Sequence, residues 1–363
     1  MQYQEILSNL NEFVKKIQDD ESKKIFDIRL QYLIKRDKEK FYEGLDQVLH
    51  NNRDDYSCWR LNEYEKRNIQ KKGKNVIIFG AGDYGRLTCR SLKYIGRKID
   101  CFVDNNVRLW GTEYKEIPIY KLEDAQKKFK DCIVVVAVSG LYQAEIYRQL
   151  IHNGFHESDI LIPQEGYLYC DIANQYFDSN IICTKAEEEY FVDAGCYDGM
   201  TSIKYGEICG GNLRKIYAFE PDKNNYLECD KVFSKSKYEY ELYECAAWDK
   251  EAELRFCSLE NESYGSHVRT DGDYYIKADS IDNKLKGRKA TYIKYDVEGS
   301  ELEALRGSKK TIQKYCPKLA ISVYHKPEDI VEIPVFLESL HMHYRYYLRH
   351  YQTRMEETTL YAI

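Results

Sequence analysis

Apolar residues recur along residues 1 to 70 at the spacing of helices, and charged residues fill the positions between them. The first recurring set is Ile6, Leu10, Phe13, Val14 and Ile17. This pattern predicts a helical extension with one apolar face, which can pack against a neighbouring domain or against a partner chain. The sequence leaves both choices open, including a homo-oligomer formed through these helices.

From about residue 71 the pattern changes to short apolar runs that alternate with helical stretches. Strands are predicted at 75–79, 99–103 and 132–138, and a glycine-rich turn follows the first of them. Alternating strands and helices indicate a parallel sheet. We therefore predict a Rossmann-like domain over 71–165, followed by a connector over 166–187.

The same alternation returns over residues 188–363. Strands are predicted at 190–192, 216–219, 239–246, 292–295, 319–323, 344–348 and 358–363. Helices are predicted from about 201 and at 224–234, 300–315 and 328–340. The last two strands are close enough to pair as an antiparallel edge. The predicted fold class is thus α/β, with two Rossmann-like doubly wound domains after a helical N-terminal extension.

Composition narrows the class of partner. The chain has 363 residues, with 54 Lys and Arg against 60 Asp and Glu, so its net charge of -6 gives no general attraction for nucleic acid or anionic lipid. No apolar run approaches the roughly 20 residues of a membrane span, and the start of the chain does not resemble a secretory signal. The 12 cysteines include no C-x-x-C pair, which favours a cytoplasmic protein with reduced thiols and no thiolate zinc site. We therefore expect the protein to act on a small molecule or a glycan.

The turns that follow the strands of the third segment carry the candidate chemistry, because open α/β sheets bind ligands beyond the carboxyl ends of their strands. Glycines after the first strand allow a ligand close to the backbone, and the helix that follows can hold a carboxylate. An acid after the second strand can accept hydrogen bonds from both ribose hydroxyls. A small residue and an aromatic residue after the third strand suit an adenine ring. The candidate cofactor residues are Asp193, Gly195, Cys196, Gly199, Glu220, Pro221, Ala247 and Trp248.

Four ordered motifs in this segment resemble the FkbM-type methyltransferases. They lie at 191–199, 219–221, 293–301 and 322–326, and the resemblance runs from about residue 188 to the C-terminus. It implies a class I methyltransferase fold, S-adenosylmethionine as the methyl donor and O-methylation of a hydroxyl. Many such enzymes act on glycans or secondary metabolites, so the resemblance does not specify one acceptor.

Methyl transfer to a hydroxyl needs a group that orients the acceptor and removes its proton. His325 is the natural base because its usual pKa is near neutrality, while Asp296 and Glu298 stand after the fourth predicted strand. Each also has a structural interpretation, a histidine in a turn or carboxylates that cap the next helix. Lys294, inside the fourth strand, is interpreted as an ordinary strand lysine. No metal is predicted, but the sequence leaves open a magnesium site formed by carboxylates. Residues 261–275 are either an acceptor-binding loop or the edge of a hairpin.

The second segment supports a different function. Gly80, Gly82 and Gly85 followed by Asp104 have the spacing of a dinucleotide-binding turn and its ribose-binding acid. The alternative hypothesis is therefore an enzyme or scaffold that binds NAD or a nucleotide sugar through this domain.

Overall fold

The computed structural model describes residues 3–52, 74–94, 96–162, 174–182, 187–257, 267–268, 274–352 and 354–363. The chain is mixed α/β, and it divides into two compact units, Met1–Asn52 together with Asp171–Ile363, and Arg53–Cys170. Most of the predicted connector, 166–187, and most of the predicted loop, 261–275, lie outside the described residues. Within these ranges no helix is long and apolar enough to cross a membrane.

The smaller unit is built on a six-stranded sheet. Its strands are β1 (Asn75–Phe79), β2 (Cys101–Val103), β3 (Glu113–Tyr114), β4 (Ile117–Tyr120), β5 (Cys132–Val136) and β6 (Ile160–Leu161). Its helices are α4 (Asp83–Tyr94), α5 (Leu122–Lys128) and α6 (Gly140–His152). The strand order is β3-β4-β2-β1-β5-β6, and every pair is parallel except β3 with β4. β1 and β5 are almost entirely buried, as expected for central strands of continuous apolar sequence.

The larger unit contains a seven-stranded sheet with the order β16-β17-β15-β14-β7-β8-β9. These strands are β7 (Glu189–Ala194), β8 (Leu213–Phe219), β9 (Tyr240–Tyr243), β14 (Tyr292–Tyr295), β15 (Lys318–Ser322), β16 (Tyr346–His350) and β17 (Thr358–Ala362). The five neighbouring strands β15, β14, β7, β8 and β9 are parallel to one another. β17 lies between β15 and β16 and is antiparallel to both. The carboxyl ends of β7, β8, β14 and β15 therefore meet at one edge.

Three helices precede this sheet in sequence, and short helices alternate with its strands in the described residues. The first three are α1 (Tyr3–Lys16), α2 (Asp20–Lys35) and α3 (Lys38–Asn52). The others are α7 (Met200–Ile208), α8 (Lys223–Ser234), α9 (Ile281–Leu285), α10 (Glu301–Arg306), α11 (Lys309–Tyr315) and α12 (Asp329–Ser339).

Two short helices, α10 and α11, replace the single helix predicted over 300–315. Gly307 lies at that break, and a Cβ on it would be 1.8 Å from the carbonyl oxygen of Trp248. Because that backbone comes so close, only glycine fits at the position where the two helices meet.

A second, four-stranded sheet was not predicted. It consists of β10 (Ala246–Ala247), β11 (Ala252–Cys257), β12 (His267–Val268) and β13 (Tyr274–Asp279), in the order β10-β13-β11-β12. The predicted strand 239–246 was wrong in extent, because β9 ends at Tyr243 and the chain turns there to enter this second sheet. The turn is closed by a hydrogen bond from the Cys245 amide to the Tyr243 carbonyl, at 2.9 Å.

The N-terminal helices pack against the seven-stranded sheet. Phe13 and Phe26 are buried in the same apolar core as Tyr346, and the rings of Phe13 and Tyr346 are 4.8 Å apart. Polar contacts join the same elements, since the guanidinium of Arg349 in β16 lies 2.7 Å from the carboxylate of Asp19. Of the two choices that the sequence left open, the structure shows helices packed against the chain's own C-terminal domain.

Candidate active site

A tight glycine turn follows β7. Gly195 has φ +83°, and a Cβ at this position would lie 1.9 Å from the carbonyl oxygen of Asp296. Gly199, with φ +77°, precedes the first residue of α7. Only glycine combines this backbone conformation with such a close approach, so Gly195 lets the turn pack directly against the backbone of Asp296.

Asp193 lies beneath this turn and is fully buried. Its Oδ2 accepts a hydrogen bond from Ser202 at 2.7 Å, and its Oδ1 is 3.0 Å from Nζ of Lys294. The same ammonium group donates to the carbonyl oxygen of Gly195 at 2.7 Å. Asp193 is thus linked to the turn through Lys294 and to α7 through Ser202.

Lys294 is a site residue that sequence reasoning read as an ordinary strand lysine. Burial disfavours its charged form, but the charges of Asp193 and Asp296 outweigh that penalty and raise the pKa of Lys294 above its usual value. One sequence signal could have found it. A lysine inside the short strand Tyr292–Tyr295, whose neighbours are apolar or aromatic, must be buried with a carboxylate partner.

Glu220 follows β8 and is 6 % exposed. Its Oε2 accepts from the amide of Tyr197 in the glycine turn, and its Oε1 accepts from the amide of Asp222, both at 2.9 Å. Burial raises the pKa of Glu220 to about 7, although these amides oppose the shift. A side-chain contact with Asn225 also stabilises its charged form. A carboxylate offers about four acceptor positions, so Glu220 can still accept a hydrogen bond from a ribose hydroxyl.

The remaining cofactor candidates have different surroundings. Cys196 is buried, with its Sγ 3.4 Å from Sγ of Cys229, so only its backbone belongs to the turn. Pro221 is half-buried directly after Glu220. Ala247 is buried and pairs with β13, and the amide of the half-buried Trp248 donates to the Asp279 carbonyl at 2.9 Å.

The three catalytic candidates meet beyond β14 and β15. Nε2 of His325 lies 3.3 Å from Oε2 of Glu298 and 3.8 Å from Oδ1 of Asp296. The same Asp296 oxygen accepts hydrogen bonds from Ser322 at 2.8 Å and from Tyr324 at 3.3 Å. Two hydroxyls that were not singled out in the sequence therefore hold this carboxylate in place.

Glu301, also missed in the sequence, lies on the other side of the imidazole. Its side chain is fully buried, and its Oε1 is 2.9 Å from Nδ1 of His325 and accepts from the amide of Val297 at 3.0 Å. Glu298 has φ +54°, a left-handed conformation that is rare outside glycine and is commonly found at functional sites. Asp296 and Glu298, in the turn between β14 and α10, therefore face Nε2 of His325, and the buried Glu301 at the start of α10 faces Nδ1.

Electrostatics set the charges of this group. Burial disfavours a charged imidazole, but the charge of Glu301 and the contacts with Glu298 and Asp296 outweigh it and raise the pKa of His325 well above its usual value. Burial likewise opposes ionisation of Asp296, yet the charges of Lys294 and His325 lower its pKa. In the free protein the site therefore holds an imidazolium among carboxylates.

The glycine turn connects the two groups. Tyr197 in the turn donates to Glu220, while Gly195 in the same turn contacts the backbone of Asp296. The turn therefore contacts both the Glu220 carboxylate and the backbone of Asp296.

The turn after β1 in the smaller unit is also closed by glycines. A Cβ on Gly85 would be 1.8 Å from the Gly80 carbonyl oxygen, and one on Gly80, with φ +106°, would be 2.4 Å from the Ala137 carbonyl oxygen, whereas Gly82 has open space around it. Oδ2 of Asp104 accepts from the amide of Ala81 at 2.7 Å. Asp104 therefore holds the glycine turn itself in the free protein.

Comparison with known proteins identifies the class of the C-terminal domain. Residues 193–355 match the family model described as the methyltransferase FkbM domain, and this range contains both the glycine turn and His325. The C-terminal domain is an S-adenosylmethionine-dependent methyltransferase. Within that class, residues 193–355 are an FkbM-type domain.

Solved structures give weaker similarities. The methyltransferase FkbM from Methylobacillus flagellatus KT is 16% identical, with 90% of this chain and 100% of that chain covered and a TM-score of 0.49. Fibrillarin from Aeropyrum pernix, solved with natively bound S-adenosyl-L-methionine, is 11% identical, with 53% of this chain and 74% of that chain covered and a TM-score of 0.36. No curated protein matches the chain. The family assignment therefore rests on the family model.

Proposed function

We propose that the C-terminal domain methylates a hydroxyl oxygen of a sugar or glycan. The observation that carries this proposal is the position of the glycine turn, which contacts Glu220 through Tyr197 and Asp296 through Gly195. One side of the turn suits a nucleoside, and the other has groups that accept a hydroxyl proton.

The residues of the turn fit S-adenosylmethionine. The Glu220 carboxylate, which also accepts the Tyr197 amide of the turn, has acceptor capacity left for a ribose hydroxyl. Pro221, Ala247 and Trp248 complete the proposed nucleoside site. When bound, S-adenosylmethionine supplies a methyl group on a positively charged sulfur, which is the electrophile of the reaction.

Asp296, Glu298 and His325 would hold the acceptor. The side chains of Asp296 and Glu298 are 24% and 39% exposed, so their oxygens are accessible to a hydroxyl, which donates a hydrogen bond to a carboxylate. The acceptor oxygen would form its bond to the methyl carbon as the bond between that carbon and sulfur breaks, which leaves S-adenosylhomocysteine. A carboxylate of Asp296 or Glu298 would take the hydroxyl proton. In its protonated form, the imidazole of His325 positions the two carboxylates.

The charge of the site favours a neutral, hydroxyl-rich acceptor. Three carboxylates surround one imidazole, and the whole chain has a net charge of -6, so a phosphate-rich acceptor would be repelled. A sugar presents several neutral hydroxyls that can contact more than one of these oxygens. We therefore favour a sugar or glycan over nucleic acid.

The test is a methyl-transfer assay with ¹³C-methyl S-adenosylmethionine and a panel of mono- and oligosaccharides. An O-methyl carbon resonance in the product, absent with Glu298→Gln and retained with the exposed control Glu244→Gln, would support the proposal. Transfer confined to amines or carboxylates in a parallel panel would refute it.

A specific observation also supports a second function for the smaller unit. Its glycine turn lies at the carboxyl end of a central parallel strand, and Asp104 contacts that turn directly. We propose a Rossmann-like binding module for NAD or a nucleotide sugar. Calorimetry with NAD and with a nucleotide sugar tests it, and a ligand whose binding survives Asp104→Asn unchanged would contradict this site.

A further inference from the structure

Two buried polar atoms next to the proposed acceptor site make no hydrogen bond of acceptable geometry among the described residues. They are Oε2 of Glu301 and Nδ1 of His325, which lies 2.9 Å from Oε1 of Glu301 as an ion-pair contact without hydrogen-bond geometry. The Glu301 side chain is fully buried, and burying a carboxylate oxygen without a donor is costly. Such orphaned atoms in a native site call for a missing ligand, commonly a water molecule or an ion.

The surrounding residues have the geometry of a metal site. Asp296, Glu301 and His325 each offer one ligand atom, and these atoms all lie within 4.8 Å of one another. Two ligands at about 2.1 Å from one ion are separated by roughly 3 to 4 Å, so modest side-chain adjustment would bring all three into contact with a single ion.

We propose that Asp296, Glu301 and His325 bind a divalent cation. One imidazole nitrogen with two carboxylate oxygens suits a first-row divalent ion such as Mn²⁺, which accepts both kinds of ligand. Three protein ligands leave further coordination positions open.

The local charges support a cation at this place. The carboxylates of Asp296, Glu298 and Glu301 surround a single imidazole, and the ammonium group of Lys294 is 4.0 Å from Asp296 and already paired with Asp193. This group is therefore negative, and a bound cation would displace the proton of His325, because only a neutral imidazole can be a metal ligand. Glu298, whose Oε2 is 3.3 Å from His325, is placed to hold a water molecule on the ion.

The role of the cation rests on the proposed function, whereas its binding does not. In an open coordination position, an acceptor hydroxyl would lose its proton more readily, because the cation stabilises the alkoxide. A sugar with two neighbouring hydroxyls could occupy two such positions. The cation would thereby orient the acceptor as well as activate it.

The test is a titration of the full-length, chelator-treated protein with Mn²⁺ alone, followed by the loss of the free-ion electron paramagnetic resonance signal. We expect one site per chain that Asp296→Asn and Glu301→Gln each weaken by at least about 10- to 100-fold. Gln at 301 retains an acceptor for the Val297 amide, and a matched melting temperature shows that each variant is folded. The control is Glu303→Gln, two residues along the same helix, which has a buried unpartnered oxygen outside the group.

Absence of a Mn²⁺ site in the wild-type protein would overturn the proposal, as would a site that both folded ligand variants retain at full affinity. Equal weakening by Glu303→Gln would also overturn it. Because the titration contains neither methyl donor nor acceptor, its outcome is independent of hydroxyl methylation. Binding of Mn²⁺ without any sugar methylation would refute only the proposed function.

Discussion

The ammonium group of Lys294 lies 3.0 Å from the carboxylate of Asp193, and both side chains are almost completely buried. The pair stands below the glycine turn, and Lys294 also donates to the Gly195 carbonyl oxygen. The contact therefore supports the backbone on which the proposed cofactor rests, and it links the two central strands β7 and β14.

Lys294→Met should destabilise the larger unit by about 3–5 kcal/mol, because it leaves the carboxylate of Asp193 buried without its partner. Urea unfolding followed by circular dichroism measures this change. Lys231→Met is the control, since Lys231 pairs with Glu228 at the surface and both side chains are 62% exposed. Equal stability of the two variants would contradict a structural role for the buried pair.

Glu220→Ala should weaken binding of S-adenosylhomocysteine by about 1.5–3 kcal/mol, the usual contribution of a hydrogen bond to a charged group. Calorimetry on the folded variant measures the affinity. The exposed Glu244→Ala should bind as the wild-type protein does. Unchanged affinity in Glu220→Ala would reject Glu220 as the ribose-binding acid.

The affinity for S-adenosylhomocysteine should rise as the pH increases through about 7. Burial raises the pKa of Glu220 to about 7 in the free protein, and ribose hydroxyls donate to the ionised form, so protonation at lower pH competes with binding. In the absence of ligand, the same raised pKa stabilises the fold at acid pH, and this contribution is lost as the pH rises through about 7. Calorimetry from pH 6 to 8 tests the affinity, and Glu220→Gln should lose this dependence. A wild-type affinity that is flat over this range would contradict the assignment.

Gly195→Ala should destabilise the larger unit by several kcal/mol and abolish cofactor binding. The new Cβ would lie 1.9 Å from the Asp296 carbonyl oxygen at φ +83°, so overpacking and backbone strain add. Gly210→Ala separates overpacking from backbone strain, because Gly210 has φ +58° but open space around it. This variant should lose only the smaller free energy that a positive φ costs a residue with a Cβ. Thermal melting compares the two. Similar melting temperatures would show that the turn can move.

His325→Ala should lower turnover by on the order of 100-fold while leaving the affinity for S-adenosylhomocysteine nearly unchanged. His325 contacts Asp296, Glu298 and Glu301 on the acceptor side of the turn, so its loss disturbs the acceptor rather than the nucleoside. The exposed His343→Ala is the control. A variant that melts at a lower temperature but retains normal turnover would show that His325 is only structural.

Local patterns located several of the strands and helices around the proposed site. The strand at 292–295 was predicted with its observed bounds, and the helix predicted at 224–234 is observed as Lys223–Ser234. Both carry patterns that depend on neighbours a few residues apart. The positions directly after the strands, such as Glu220 and Asp296, could therefore be named from the sequence alone.

Contacts between segments that are far apart in the chain could not be predicted from the sequence in this way. Lys294 is 101 residues from Asp193, and its importance appears only when parallel pairing of β7 and β14 brings the two side chains together. The need for glycine at 307, between α10 and α11, likewise appears only when the backbone of Trp248 is in place.

The sequence by itself determined the α/β alternation, the glycine turns and the set of residues at the strand ends, because hydrophobic periodicity and glycine conformation are local properties. Only the tertiary structure decided that Asp193 is buried under the turn while Glu298 is accessible, and that Glu301 joins Asp296 and His325. Which neighbours a carboxylate has depends on contacts between strands and turns far apart in the chain. Those contacts set its charge and its chemistry.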